Sequence, residues 1–141
     1  MLFDTHAHYD DDQFDGDRET LLASLPEQGV GLVVNPGCTV ASSRTAVELA
    51  RRFPHVYAAV GIHPENCGDF RPEDLDAIRA LAREDKVVAI GEIGLDYYWP
   101  ENPPRPLQQQ VLRSQLALAR ELSLPVIIHD RDAHADTMAI V

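Results

Sequence analysis

The feature that most limits how this chain can fold is the recurrence of short, β-branched-rich apolar runs at roughly the 30-residue spacing of a βαβ unit. Val30–Val34, Val56–Val60, Val87–Ile90 and Val126–Ile128 are such runs, and Leu2-Phe3 opens a shorter one. They lack the polar alternation of a half-exposed sheet, so they read as strands buried on both faces of a parallel sheet. Amphipathic segments lie between them. Leu21, Leu22 and Leu25 mark the first helix, and Ala46, Leu49, Ala50 and Phe53 mark the second at i, i+3, i+4, i+7. A third opens with Pro72-Glu73-Asp74 and continues through Leu75, Ile78 and Leu81. A fourth follows Pro103-Pro104 with Leu107, Val111, Leu118 and Leu122, and a last begins near Ala133. The order βαβαβαβαβα predicts a parallel α/β sheet. Two architectures satisfy it: a complete doubly wound domain, or the first five βα units of a (β/α)₈ TIM barrel. Neither a G-x-G-x-x-G nor a Walker-type loop is present, which removes the usual nucleotide signatures. The closing apolar segment Met138-Ala139-Ile140-Val141 has no C-cap, and this favours an incomplete barrel.

With 141 residues, 45% of them apolar and 25% charged, the chain is expected to form a single domain over residues 1–141. No apolar run reaches the roughly 20 residues of a membrane span. The start Met1-Leu2-Phe3-Asp4 lacks a secretory pattern, so a cytoplasmic location is expected. Cys38 and Cys67 are too few for a disulfide framework and read as small reduced residues. A formal charge of −11 excludes polyanion binding through a general basic surface. A phosphate-bearing substrate would need a local source of positive charge, such as bound divalent cations.

Polar residues gather directly after each apolar run. Asp4-Thr5-His6-Ala7-His8 follows the first, Asn35-Pro36-Gly37 the second, Gly61-Ile62-His63-Pro64 the third, Gly91-Glu92 the fourth and His129-Asp130 the fifth. In parallel α/β proteins, sites are built at these carboxyl ends. His6 and His8 are two apart on an extended segment, so their imidazoles share a face and can grip one ion. Glu92, at the mouth of a buried strand, is costly to bury unless it is paired or metal-bound; an arginine partner is the plain alternative. A carboxylate can also bridge two ions. His129 ends its strand and can offer a neutral imidazole nitrogen. For His63 an outer ligand, a donor to a substrate phosphate and a turn residue all remain open, with substrate contact favoured. His55 and His134 read as surface residues, and Asp10-Asp11-Asp12 as a solvated loop. Tyr97, Tyr98 and Trp99 either stack on bases or pack the loop that carries them.

These motifs, taken in order along the whole chain, resemble the signatures of the TatD deoxyribonucleases, a family of metal-dependent hydrolases built on the (β/α)₈ barrel. The resemblance rests on D-T-H-A-H at residues 4–8, G-I-H-P at 61–64, G-E-I-G-L-D-Y at 91–97 and P-V-I-I-H at 125–129. It implies two divalent metal ions (Mg, Mn or Zn), one held by His6 and His8, with Glu92 bridging to a second that His129 ligates. It further implies that His63 faces the phosphate, so that Glu92 and His63 are the catalytic candidates. The implied reaction is phosphodiester hydrolysis of DNA, exonucleolytic and on single strands or ends, with water as nucleophile and both reacting oxygens stabilised by metal. Members of the family are about twice this length, with a further histidine and an aspartate on later strands. The chain is therefore expected to need a missing C-terminal half or self-association. Two alternatives stand beside this reading. One is an amidohydrolase of a small molecule, disfavoured because the only lysine, Lys86, begins the fourth strand instead of ending it. The other is a non-catalytic, metal-binding truncated homologue.

Overall fold

A computed structural model describes all residues, 1–141. Five strands, β1 (Leu2–Asp4), β2 (Val30–Pro36), β3 (Val56–Val60), β4 (Val87–Asp96) and β5 (Val126–Arg131), form one sheet in the order β1-β2-β3-β4-β5. Every pairing is parallel. Between and after them run α1 (Arg18–Ser24), α2 (Val40–Arg52), α3 (Pro72–Leu81), α4 (Arg105–Leu122) and α5 (His134–Ile140). A doubly wound sheet reverses its strand order at a switch point. This sheet never does, so crossovers of one hand leave the helices on one face, as in half of a barrel. No helix is long and apolar enough to cross a membrane.

The strands alternate their side chains between two layers. Val33, Ala58, Val60 and Ile90 face the helices and join a core of 23 buried residues with Leu22, Ile78, Leu112 and Leu118. Each such large side chain contributes about 1.5–3 kcal/mol by burial. Val34, Ala59 and Ala89 form a separate small cluster on the opposite face. Short side chains there leave room for the polar groups further along the strands.

The helices start and stop for local reasons. Thr39 caps α2: its Oγ1 accepts from the Ser42 N–H at 3.0 Å, while the Ser42 Oγ accepts from the Thr39 N–H at 2.9 Å. Phe53, expected inside this helix, instead ends it in extended conformation just before Pro54, which disfavours helical backbone at the preceding residue. Pro72 and Pro106 occupy first-turn positions of α3 and α4. Ser123, with φ 56°, closes α4 in the left-handed region.

Strand β4 departs from expectation. Its apolar run ends at Ile90, yet the strand continues six residues further, to Asp96. The extension is paired with β5, from Ile93↔Ile128 to Asp96↔Arg131. Three steps on β4, Ile90 to Ile93, face two on β5, Val126 to Ile128, so the ladder bulges at Gly91-Glu92. Such bulges re-aim side chains. Glu92 therefore lies within a strand and is 5% exposed, not at the end of one.

Candidate metal centre

The site is built from the first strand inward. Past β1, the Ala7 N–H donates to the Val34 carbonyl at 3.1 Å, which keeps the segment extended beside β2. Ala7 packs against the core, and His6 and His8 turn the other way. Their Nε2 atoms lie 3.2 Å apart, and each lies 3.1 Å from Oε2 of Glu92. Three donor atoms thus form a nearly equilateral triangle. Protons do not explain it well, since an N–H points along one edge only. Ligands at about 2.1 Å from a shared cation sit about 3.0–3.4 Å apart for octahedral to tetrahedral angles. The triangle fits one face of such a polyhedron.

The other oxygen of Glu92 serves a second group. His129 Nδ1 lies 3.0 Å from Oε1 and His63 Nε2 lies 3.9 Å from it, with the two rings edge to face at 4.3 Å. His6, His8 and Glu92 on one side, and His63, Glu92 and His129 on the other, are both groups able to hold a metal ion. The expected arginine alternative for Glu92 is absent: its partners are four imidazoles. Burial, the largest single influence, pushes its carboxyl up. Hydrogen bonds to His129 and His8 and the charges of His6 and His63 together outweigh that and hold it well below the usual carboxylate range. Reciprocally, the hydrogen bond to Glu92 raises His8 and His129 above the ordinary imidazole value, against the opposing effect of burial.

His63 stands apart in its proton placement. Its Nδ1 accepts the Glu65 N–H at 3.2 Å, capping a one-turn 3₁₀ helix at Pro64–Asn66. In the neutral ring the proton then sits on Nε2, facing the cleft. Burial first, and the neighbouring His129 second, lower its pKa to about 4, so the ring is neutral at pH 7 and a donor.

Four further polar residues matter here: Asp96 and Asn35, which lie in segments already singled out in the sequence, and Gln108 and Gln115, which carry no obvious sequence signal. Asp96, fully buried, accepts from His129 Nε2 at 2.8 Å. Burial pushes its carboxyl up, but hydrogen bonds from His129 and the Tyr98 N–H hold it below the ordinary value. Gln108 and Gln115 lie two turns apart on α4, and each clamps one strand-end peptide. Gln115 accepts from the Ile62 N–H at 2.8 Å and donates to the Ile62 carbonyl at 3.0 Å. Gln108 does the same to Asp96 at 2.8 and 2.9 Å. The residues so fixed are Asp96 itself and the neighbour of His63. Asn35, fully buried, accepts from the Tyr9 N–H at 2.6 Å and donates to Asp10 Oδ1 at 2.9 Å. For the two glutamines, a polar residue in an otherwise apolar helix stripe was the only available clue.

Two expectations are corrected. Asp10 is not simply solvated: Asn35 holds it 3.9 Å from His8 Nδ1. With Asp11 it lines a cleft of about 520 Å³ that also takes in His6, His8, Cys38, His63, Glu92 and His129. Only Asp12 remains a plain surface residue among the three. His55 is half-buried, with Nε2 2.8 Å from the Leu22 carbonyl, so it ties α1 to β3. Tyr97 packs, its hydroxyl donating to Asp136 at 2.8 Å, whereas Tyr98 and Trp99 stay exposed. His134 is a surface residue, as expected, beside Asp130. Cys38 and Cys67 are free thiols. Burial, then the charges of Glu92 and Asp10, push Cys38 up to about 12, which leaves it an unreactive wall of the cleft.

The class these observations define is half of a parallel β/α barrel whose carboxyl pole gathers imidazole and carboxylate donors. The chain belongs to the TatD related DNase family, matching its sequence model over residues 3–141. It is similar to the metal-dependent hydrolase YabD of Bacillus subtilis (strain 168), with 43% identity over 141 residues, all of this chain and 55% of that protein. It is 38% identical to the 3'-5' ssDNA/RNA exonuclease TatD of Salmonella typhimurium, across 94% of this chain and 51% of the other. Among solved structures, YjjV, a TatD homologue from Escherichia coli K12, superposes with a TM-score of 0.90 at 35% identity. That match covers 98% of this chain and 54% of YjjV. The chain spans about half the length of the curated relatives it matches.

Proposed function

We propose that this chain carries the metal-binding part of the active site of a divalent-metal-dependent hydrolase that cleaves phosphodiester bonds in single-stranded DNA, as an exonuclease. The observation that carries the reading is Glu92, whose two oxygens are divided between two donor groups, Oε2 toward His6 and His8 and Oε1 toward His129. His6 and His8 would hold one ion, His129 a second, and Glu92 both. Divalent ions bound there would offset phosphate charge and promote attack by water. That local positive charge is what a chain of net charge −11 needs to bind a polyanion.

The chain's own residues do the rest. Glu92 stays ionised, so its oxygens remain available. Asp96 accepts from His129 Nε2, which fixes the ring's orientation and turns Nδ1, 3.0 Å from Glu92 Oε1, to the side where it would meet the second ion. His63 presents a neutral Nε2–H to the cleft and hydrogen-bonds a phosphate oxygen. Its lowered pKa keeps it from carrying a charge that would repel cations. The name of the Salmonella relative supports the substrate and the direction of cleavage.

The test is end-labelled single-stranded DNA incubated with the chain and Mg²⁺, Mn²⁺ or Zn²⁺, alongside chelator and Glu92→Gln arms. Chelator-sensitive shortening from the 3' end, lost in Glu92→Gln, is expected at concentrations where the chain self-associates. Cleavage that persists in chelator or in Glu92→Gln overturns the reading.

A further inference from the structure

The pairing of β4 with β5 places an aromatic and cationic cluster beside the donor groups. Arg131 follows His129 by two residues on β5, so its side chain leaves the strand on the same face, about 6.6 Å further along. It pairs with Asp96, and its carbonyl accepts the Tyr97 N–H at 2.9 Å. The chain leaving β4 therefore passes directly over it. The guanidinium carbon sits 3.9 Å from the centre of the Tyr98 ring and 5.4 Å from that of Trp99. The two rings meet edge to face at 4.6 Å and 89°.

Tyr98 and Trp99 remain 47% and 43% exposed, and Phe3 is the one other exposed aromatic. A second cavity of about 380 Å³, lined by Glu65, Asn66, Trp99, Glu101 and Asn102, shares its Glu65–Asn66 wall with the donor-lined cleft. The two cavities therefore lie side by side. Glu101 and Glu65 make that wall unsuited to an anion, and the nearby cation is Arg131, held against Tyr98 and Trp99, so the surface suits a flat, uncharged ring next to one negative charge. That is the chemistry of a nucleobase and its phosphate.

We infer that Tyr98, Trp99 and Arg131 form a stacking subsite for a nucleobase of single-stranded DNA whose neighbouring phosphate lies at the donor groups. The inference rests on the proposed function for the nature of the ligand. Stacking on an aromatic face is sequence-tolerant, so the subsite favours unpaired strands over duplex without selecting a base. Arg131 is a positioning residue: one face of its guanidinium rests on Tyr98, and the edge meets the phosphate.

Trp99 is the chain's only tryptophan, so intrinsic fluorescence reports this ring alone. The full chain is titrated, with Ca²⁺ present, with a hydrolysis-resistant phosphorothioate pentathymidylate and with an abasic phosphorothioate of equal length. Saturable quenching by the pentathymidylate, with at least about fivefold weaker binding of the abasic strand, is expected. No quenching, or equal binding of both strands, overturns the inference. Arg131→Gln is expected to reduce the slope of log affinity against log salt by about 0.7, and an unchanged slope removes Arg131 from the subsite. Both arms read base-dependent binding without turnover, so a lack of chelator-sensitive cleavage counts against the proposed function alone, and a lack of base-dependent binding against this inference alone.

Discussion

Glu92 is surrounded by imidazoles, and its surroundings set what protons do at the site. Because its hydrogen bond raises His8 and His129 above the ordinary 6.5, protons compete with a metal ion for these nitrogens at and somewhat above that pH. Raising the pH removes the competing protons, so metal affinity rises with pH. Calorimetry near pH 6.5 in two buffers of different ionisation enthalpy is expected to report net proton release on metal uptake. Heats that do not depend on the buffer would count against His8 and His129 as ligands. Asp96 is the second residue to probe. Asp96→Asn keeps the shape but loses the charge on His129, and metal affinity is expected to fall about 10- to 100-fold with the fold intact by circular dichroism. An unchanged affinity would mean that the 2.8 Å contact does nothing for the ligand. The histidines and Glu92 were legible in the sequence because each follows an apolar run. Asp96 stood inside the G-E-I-G-L-D-Y motif, but its role was not legible, because the apolar run that announces β4 stops at Ile90, six residues before the strand does.

Strand β4 and helix α4 together hold the donors at their spacing. Gly94 has φ 151°, and a Cβ there would fall on the His129 carbonyl. Gly94→Ala must therefore push β5 away and His129 with it, with loss of metal binding at the second group expected even where the protein stays folded. Wild-type affinity in that variant would contradict the tight β4–β5 contact. On α4, Gln115→Leu leaves the Ile62 N–H and carbonyl without their partner, at a cost of about 1–3 kcal/mol for each group left unsatisfied in the interior. Urea unfolding is expected to show a loss of about 2 kcal/mol or more; a variant as stable as wild type would show that Gln115 is dispensable. All five strands and helices were readable from apolar periodicity. The bulge at Gly91-Glu92 and the glutamine clamps were not, since neither alters the apolar pattern: a glutamine in a buried stripe is indistinguishable from an exposed one until the backbone it serves is known.

At the scale of the whole molecule, sequential strand order leaves β1 and β5 as open edges. Met1, Leu2 and Phe3 are exposed at one, and Met138 on the helix that follows the other, with Val141 just past its end. Unpaired edges carrying apolar side chains associate, so the isolated chain is expected to self-associate. Light scattering should show a mass that rises with concentration, and Phe3→Lys should lower it. A strictly monomeric chain at high concentration would contradict this. Periodicity left the choice between a doubly wound sheet and a barrel open, because both share the βα alternation. Only the strand order separates them, and that depends on pairings between residues far apart in sequence.

The central claim is that Glu92 is shared by two donor groups, and metal titration of the full chain with Mn²⁺ tests it most directly. Binding to both groups should fall together in Glu92→Gln, whereas His129→Ala should weaken one and His6→Ala the other. If Glu92→Gln lost one equivalent and kept the second at wild-type affinity, the carboxylate would serve a single ion and the account of the site would be wrong.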